Sequence, residues 1–184
     1  MISEIEKVGE RFHLVGHDWG SIIVLRVTSV RPDLVRTLAC GDGPIDREYK
    51  WHDMAVMWQT PDVGEQVMEA MTSEAIQVAL APEMGEARAV EAGSHIDATM
   101  KDCILKLYRS AVDVGAEWHD DVDAITTPTL VLWGRQDAYV PPEIGERIAQ
   151  RTHARLVMFE TGHWWPVSCA GEAARELESH WSSA

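Results

Sequence analysis

Phe12-His13-Leu14-Val15-Gly16-His17-Asp18-Trp19-Gly20-Ser21 is the stretch from which the rest of the chain is read. Four mostly apolar residues run into Gly16. A short turn bounded by Gly16 and Gly20 follows, and residues 21–30 then read as helix. The pattern has the form G-x-Nuc-x-G, a strained strand-to-helix turn that presents a nucleophile at the end of a strand. Side chains at Gly16 and Gly20 are expected to crowd the neighbouring strand and helix. The residue at the nucleophile position is Asp18. A carboxylate is already ionised at neutral pH, so unlike serine it needs no base to attack. It can displace a leaving group from an sp³ carbon to form an ester, and a base is then needed only to activate the water that hydrolyses that ester. On the turn alone a plainer role stands beside this one, because Asp before a helical run is a good N-cap.

Two later stretches bear on the choice. Thr127-Pro128-Thr129-Leu130-Val131-Leu132-Trp133-Gly134-Arg135-Gln136-Asp137 reads as a buried strand and a loop carrying an acid. Ala154-Arg155-Leu156-Val157-Met158-Phe159-Glu160-Thr161-Gly162-His163-Trp164-Trp165-Pro166 reads as a strand and a loop carrying a histidine. Taken singly, Asp137 is a common turn residue and His163 a common loop residue. Taken together, nucleophile, acid and histidine stand in chain order, each just past a strand. In that arrangement His163 is the general base and Asp137 orients it and stabilises the imidazolium.

In these three motifs the chain resembles the α/β-hydrolase family. Within it, Gly16-His17-Asp18-Trp19-Gly20-Ser21 is similar to the epoxide hydrolase and haloalkane dehalogenase branch, which uses an aspartate nucleophile. The resemblance implies a parallel α/β sheet with an inserted helical cap. It also implies a small apolar organic substrate and no cofactor. Trp19 follows the nucleophile, and the resemblance gives its backbone N–H to the oxyanion and its side chain to a departing halide, with core packing as the alternative. The leaving group separates the two activities. An epoxide oxygen leaves as an alkoxide and needs a proton donor. Tyr108, in Leu107-Tyr108-Arg109, looks like the family's cap Tyr-Arg pair, and Tyr49 is a second candidate. A halide needs N–H donors, for which Trp51, His52, Trp58 and Trp118 are available. For any one of these residues a packed or exposed place in the cap is the plainer reading.

The remaining chain fits this frame. Ile2, Ile5 and Val8 have helical spacing and Gly9 follows as a cap. The expected strands are 12–16, 34–40, 128–133 and 155–160, with helices over 142–151 and 171–181. Gly41-Asp42-Gly43-Pro44 reads as turn chemistry closing the second strand. From 45 to 121 strand-like runs disappear, and helices are expected over 46–59, 63–71, 73–80 and 97–114, with breaks at Thr60-Pro61, Ala81-Pro82 and Gly93-Ser94. The expected organisation is therefore 1–44 core with the elbow, 45–121 helical cap, and 122–184 core with the acid and histidine loops. Met-rich helix faces also fill ordinary cores.

Composition limits the classes of function. The 184 residues are 46% hydrophobic and 25% charged, as in globular proteins. A net charge of −14, from 30 acidic against 16 basic residues, argues against nucleic acid and anionic membrane as partners. Residues 1–7 do not read as a signal peptide. Three scattered cysteines (Cys40, Cys103, Cys169) fit a reducing compartment, so a cytoplasmic location is expected. No His/Cys/Asp/Glu set has metal-ligand spacing in the sequence, so neither metal nor organic cofactor is expected.

Against the family pattern, strands before the elbow and the His-Gly-x-Pro-type loop have no counterpart here. That loop carries the second oxyanion donor, whose loss costs on the order of 10²–10³ in rate in ester chemistry. Strand 12–16 is then expected to be a sheet edge open to pairing, covered by a second copy of the chain or by a separate N-terminal half. The expected activity is epoxide hydrolysis, with haloalkane dehalogenation as one alternative. A non-catalytic, oligomerising half-domain is the other.

Overall fold

The computed structural model describes residues 1–183. The chain divides into two units, residues 1–49 with 114–183 and residues 50–113. In the first, helix α1 (Ile2–Val8) leads into strand β1 (Phe12–His17), helix α2 (Trp19–Val30) and strand β2 (Val35–Gly41). The second unit holds helices α3 (Asp53–Gln59), α4 (Val63–Ala70), α5 (Ser73–Met84), α6 (Glu86–Ser94) and α7 (Ala98–Ser110). The first unit resumes with α8 (Val114–Glu117), β3 (Thr129–Gly134), α9 (Pro142–Arg151), β4 (Arg155–Phe159), α10 (Trp165–Ser168) and α11 (Ala170–Ser182).

The four strands form one parallel sheet in the order β1-β2-β3-β4. Parallel pairing brings the carboxyl ends of all strands to one edge. The register does so closely, with His17 opposite Gly41 and Gly134 opposite Phe159. Residues just past those ends, Asp18, Asp42, Asp137 and His163, therefore converge on one side of the sheet. Strand β3 is buried along its whole length, as an inner parallel strand covered on both faces should be. Leu130 and Leu132 pack with Phe159, Trp165 and Ala173 on one face. Trp133 points the other way, and a Cβ on Gly145 of α9 would lie 2.6 Å from its ring. Strand β1 pairs only with β2 among the described residues and forms a sheet edge. Phe12 and Leu14 pack towards Ile5, Val27 and Val35, whereas Val15 on the opposite face is 45% exposed.

Several local expectations change. The helix expected over 46–59 begins only at Asp53. Asp46 accepts the Glu48 N–H on Oδ1 (2.8 Å) and binds Arg147 Nε through Oδ2 (2.7 Å), a side-chain turn that competes with helix. His52 caps α3, its Nδ1 accepting the Ala55 N–H at 3.2 Å. Asp46 also ties 45–49 to the sheet unit, and Gly115 lies against the Pro44 and Asp46 backbone, so 45–49 and 114–121 group with the sheet. Helix α5 runs through Pro82 instead of stopping at it. The missing N–H forfeits one bond to the Val78 carbonyl, beside a residue 76% exposed, where water can take the acceptor. Helix α6 has no counterpart among the expected helices. It turns back on α5 through Gly85 (φ 84°), and its Gly93 approaches so closely that a Cβ would sit 2.6 Å from the Ser73 carbonyl.

Within the helical unit, Tyr108 is buried between Trp51 and Trp58, with ring centroids 5.4 and 4.8 Å away. Trp51 Nε1 donates to the Val112 carbonyl at 2.7 Å. Arg109 forks onto both carboxylate oxygens of Glu65 at 2.7 Å and donates to the Trp58 carbonyl.

Candidate active site

Asp18 sits between β1 and α2 with φ 55° and ψ −123°. This backbone is unfavourable for any residue but glycine and persists only where surroundings enforce it. The enforcement is visible. The Asp18 N–H donates to the Gly41 carbonyl (3.0 Å), and its carbonyl accepts from Ser21 and Ile22. A Cβ on Gly16 would lie 2.3 Å from the Gly20 carbonyl oxygen and 2.6 Å from Val24 Cγ2, so β1 and α2 cross here only because residue 16 is glycine. Gly20 is different from expectation: a Cβ there meets nothing within 4 Å. Asp18 occupies the N-cap position of α2, yet its side chain makes no capping hydrogen bond, so capping does not account for it.

His163 is 4% exposed. Its Nδ1 pairs with Asp137 Oδ2 at 2.9 Å. The other Asp137 oxygen accepts the N–H groups of Tyr139 (2.7 Å) and Val140 (3.0 Å), which fix the carboxylate. With Nδ1–H given to Asp137, Nε2 is the basic nitrogen. Tyr139 and Trp164 pack edge-on against the imidazole. Burial disfavours the imidazolium, but the hydrogen bond to Asp137 and the charges of Asp137, Asp18 and Asp42 outweigh it and raise the pKa above the ordinary 6.5. Asp18 is also raised, chiefly by burial, while His163, His17 and the Trp19 backbone N–H pull against that rise. Asp18 and His163 therefore sense each other's charge, and Asp18, Asp137 and His163 all follow strands at the same edge of the sheet.

Sequence reasoning missed two members of this cluster. Asp42, read as a turn residue, is fully buried with φ 52°. Its Oδ1 accepts the Gly134 N–H at 3.3 Å. Its Oδ2 lies 3.2 Å from His17 Nε2 and 4.0 Å from His163 Nδ1. Burial pushes the Asp42 carboxyl up to about 6, with His17 opposing and Asp137 adding to the rise. His17, read as packing, bonds the His163 carbonyl through Nε2 at 2.8 Å, and the two rings stand 4.7 Å apart. The available signal was positional, since Asp42 follows β2 just as Asp18 follows β1. Gly43 lets this loop reach the elbow, where a Cβ would stand 2.9 Å from the Asp18 carbonyl oxygen.

Other expected site residues have partners of their own. Tyr49 belongs to the sheet unit and donates its hydroxyl to the Tyr139 carbonyl at 3.1 Å. Trp51, His52 and Tyr108 belong to the helical unit, with the Val112, Ala55 and aromatic contacts given above.

A parallel sheet carrying an acidic elbow, an acid loop and a histidine loop at the ends of successive strands defines the α/β-hydrolase architecture. The chain belongs to the alpha/beta hydrolase family, whose model matches residues 2–176. A 2-hydroxy-6-oxononadienedioate/2-hydroxy-6-oxononatrienedioate hydrolase of Cupriavidus pinatubonensis is 50% identical over 42 residues, which are 22% of this chain and 14% of that protein. Among solved structures, a mutant of the meta-cleavage product hydrolase from Pseudomonas fluorescens IP01, complexed with acetates, superposes with a TM-score of 0.69 at 18% identity. The match covers 95% of this chain and 65% of the other. A probable hydrolytic enzyme of Pseudomonas aeruginosa PAO1 gives 0.72 at 16% identity, over 97% and 66%. The enol-lactonase of Burkholderia xenovorans LB400 gives 0.59 at 17% identity, over 94% and 66%. The chain thus spans about two thirds of the length of these structures. At such identities the likeness is one of fold.

Proposed function

We propose that this chain carries the site of a two-step hydrolase acting at an sp³ carbon. The observation that supports this reading is an aspartate held at φ 55° on the elbow, without a capping role, at the same sheet edge as a His163–Asp137 pair. An Asp18 oxygen attacks the carbon, the carbon–leaving-group bond breaks, and an alkyl ester of Asp18 forms. His163 Nε2 takes a proton from water, hydroxide adds to the ester carbonyl, and the alcohol departs as Asp18 is regenerated. The Trp19 N–H serves the oxyanion of that second step. Asp137 holds the Nδ1–H tautomer and balances the imidazolium.

Epoxides are favoured over haloalkanes as substrates. Of the residues that resembled halide donors, Trp51 Nε1 is used on the Val112 carbonyl and His52 as the cap of α3, whereas the buried Trp58 Nε1 keeps the haloalkane as the alternative. Tyr108, whose Tyr-Arg pair with Arg109 resembles the family's, is the residue whose role as proton donor for the departing alkoxide is tested.

A second reading is a half-domain that does no chemistry alone. It is favoured by the β1 edge, with Val15 45% exposed, and by relatives about half as long again. A second copy or an N-terminal half would cover that edge, and gel filtration against concentration separates self-association from a monomer.

The deciding experiment is single-turnover labelling followed by intact mass. The probes are a styrene-oxide-type epoxide, a bromoalkane, and a 2-hydroxy-6-oxo-dienoate of the kind named for the Cupriavidus relative. An adduct that accumulates in His163→Ala and is absent in Asp18→Asn is expected with the epoxide, and Tyr108→Phe slows its formation. No adduct with any probe in folded protein refutes the enzymatic reading for this chain.

A further inference from the structure

The site contains a carboxylate oxygen that the proposed chemistry does not use. Asp42 Oδ2 is fully buried and has no aligned hydrogen-bond donor. His17 Nε2 is only 3.2 Å away, but its hydrogen bond runs to the His163 carbonyl at 2.8 Å. A buried oxygen left in that state calls for a proton, a water or an ion. Three carboxylates (Asp18, Asp42, Asp137) meet two imidazoles here, and Asp137 raises the cost of ionising both of the others.

We propose that His17 Nε2, Asp42 Oδ2 and His163 Nδ1 form a binding site for a divalent transition-metal ion, Zn²⁺ or a close relative. Among the described residues His17, Asp42 and His163 are the one such group, with one ligand atom from each lying within 4.8 Å of the others. Zinc holds nitrogen and oxygen ligands at about 2.0–2.2 Å, which places tetrahedral ligand atoms roughly 3.3–3.5 Å apart. The 3.2 Å and 4.0 Å separations bracket that spacing. Two imidazoles and one carboxylate suit zinc, cobalt or copper better than calcium or magnesium. The fourth position falls to water. The ion replaces the protons on His163 Nδ1 and His17 Nε2, breaking the first ring's bond to Asp137 and the second's to the His163 carbonyl. Asp137 keeps the Tyr139 and Val140 N–H groups. His17 is partly exposed and offers the route of entry.

The consequence for activity rests on the reading of His163 as the base. Metal on Nδ1 leaves the ring turned from Asp137, so Zn²⁺ stops ester hydrolysis and makes the wild type retain the adduct as His163→Ala does. Occupancy is measured without turnover, so failure of the site and failure of the reaction are separate results. Co²⁺ is titrated into the purified chain and followed by its visible d–d bands, with competition by Zn²⁺. Bands saturating at one equivalent, with affinity falling on the order of 10²-fold in Asp42→Asn and in His17→Gln, are expected. Histidine ¹⁵N spectra of the wild type with Zn²⁺ need no variant, and they should move His17 and His163 alone among the eight histidines. No Co²⁺ bands overturns the proposal. So does binding unchanged in both variants, or Zn²⁺ shifts confined to other histidines such as His95 or His153.

Discussion

The two glycines of the elbow are predicted to respond to the same substitution with opposite sign. In Gly16→Ala the new methyl lies 2.3 Å from the Gly20 carbonyl oxygen, 2.5 Å from its carbon and 2.6 Å from Val24 Cγ2. The first two are backbone atoms, so no rotamer change relieves them. The start of α2 must withdraw from β1 by roughly 1 Å to reach the 3.4 Å of ordinary contact. Overpacking of this kind costs about 1–3 kcal/mol, and here the upper end applies because backbone must move. For a chain of this length, that lowers the melting temperature by about 6–12 °C. In Gly20→Ala the methyl meets nothing within 4 Å. Residue 20 is already helical, so the loss of backbone freedom in the unfolded chain stabilises by about 0.4–1 kcal/mol. Urea unfolding followed by far-ultraviolet circular dichroism gives both values on matched samples. A Gly16→Ala midpoint equal to wild type, or a Gly20→Ala loss as large as that of Gly16→Ala, refutes the account of the elbow as a β1–α2 contact.

Three further outcomes are expected. Asp137→Asn leaves Asp18 labelling intact but slows loss of the ester by about 10²–10⁴-fold, in a quenched mass time course, because His163 loses its acceptor. Glu65 is held down to about 2 by its hydrogen bonds to Arg109. Since the folded value lies below the ordinary 4.5, the pair's contribution is complete above 4.5 and disappears as pH falls from there through about 2. Carboxyl-carbon NMR should show that low midpoint, and Arg109→Met should return it to the ordinary range. Arg147→Met strands the buried Asp46 carboxylate and should destabilise by up to about 3 kcal/mol in urea, with Asp46→Asn partly restoring the midpoint.

The sheet was legible because its strands are short apolar runs that end in glycine or turn residues. All four strands appear within one or two residues of their expected ends. Asp18, Asp137 and His163 stood out as candidates for the same reason, each lying within four residues of the end of such a run. Asp42 obeys that rule too, but Gly41, Gly43 and Pro44 gave it a sufficient alternative as a turn residue. Its burial follows from pairing with β3, some 90 residues later in the chain. The crowding expected at Gly20 arises only at Gly16, because α2 departs from β1 in a direction that the residue pattern does not specify. Helix α6 lacked a signal since Val90 is the one large apolar residue of Glu86–Ser94 and is itself exposed, and its packing on α5 depends on the close approach at Gly93.

The sheet is knit unevenly. β1 and β2 pair over six positions and β3 and β4 over five, each across a connection of about 20 residues. β2 and β3 meet at only three, Leu38 to Cys40 against Thr129 to Val131, across about 90 residues. Two doublings of connection length add roughly 1.2 kcal/mol to the entropy of closing that join. The protein is therefore two local β-α-β halves zipped along a short seam, and the reactive cluster straddles it, with Asp18 and Asp42 on one half and Asp137 and His163 on the other. Amide exchange should be fastest along this seam among the inner strands, and transient opening there would take the cluster apart before either half melts.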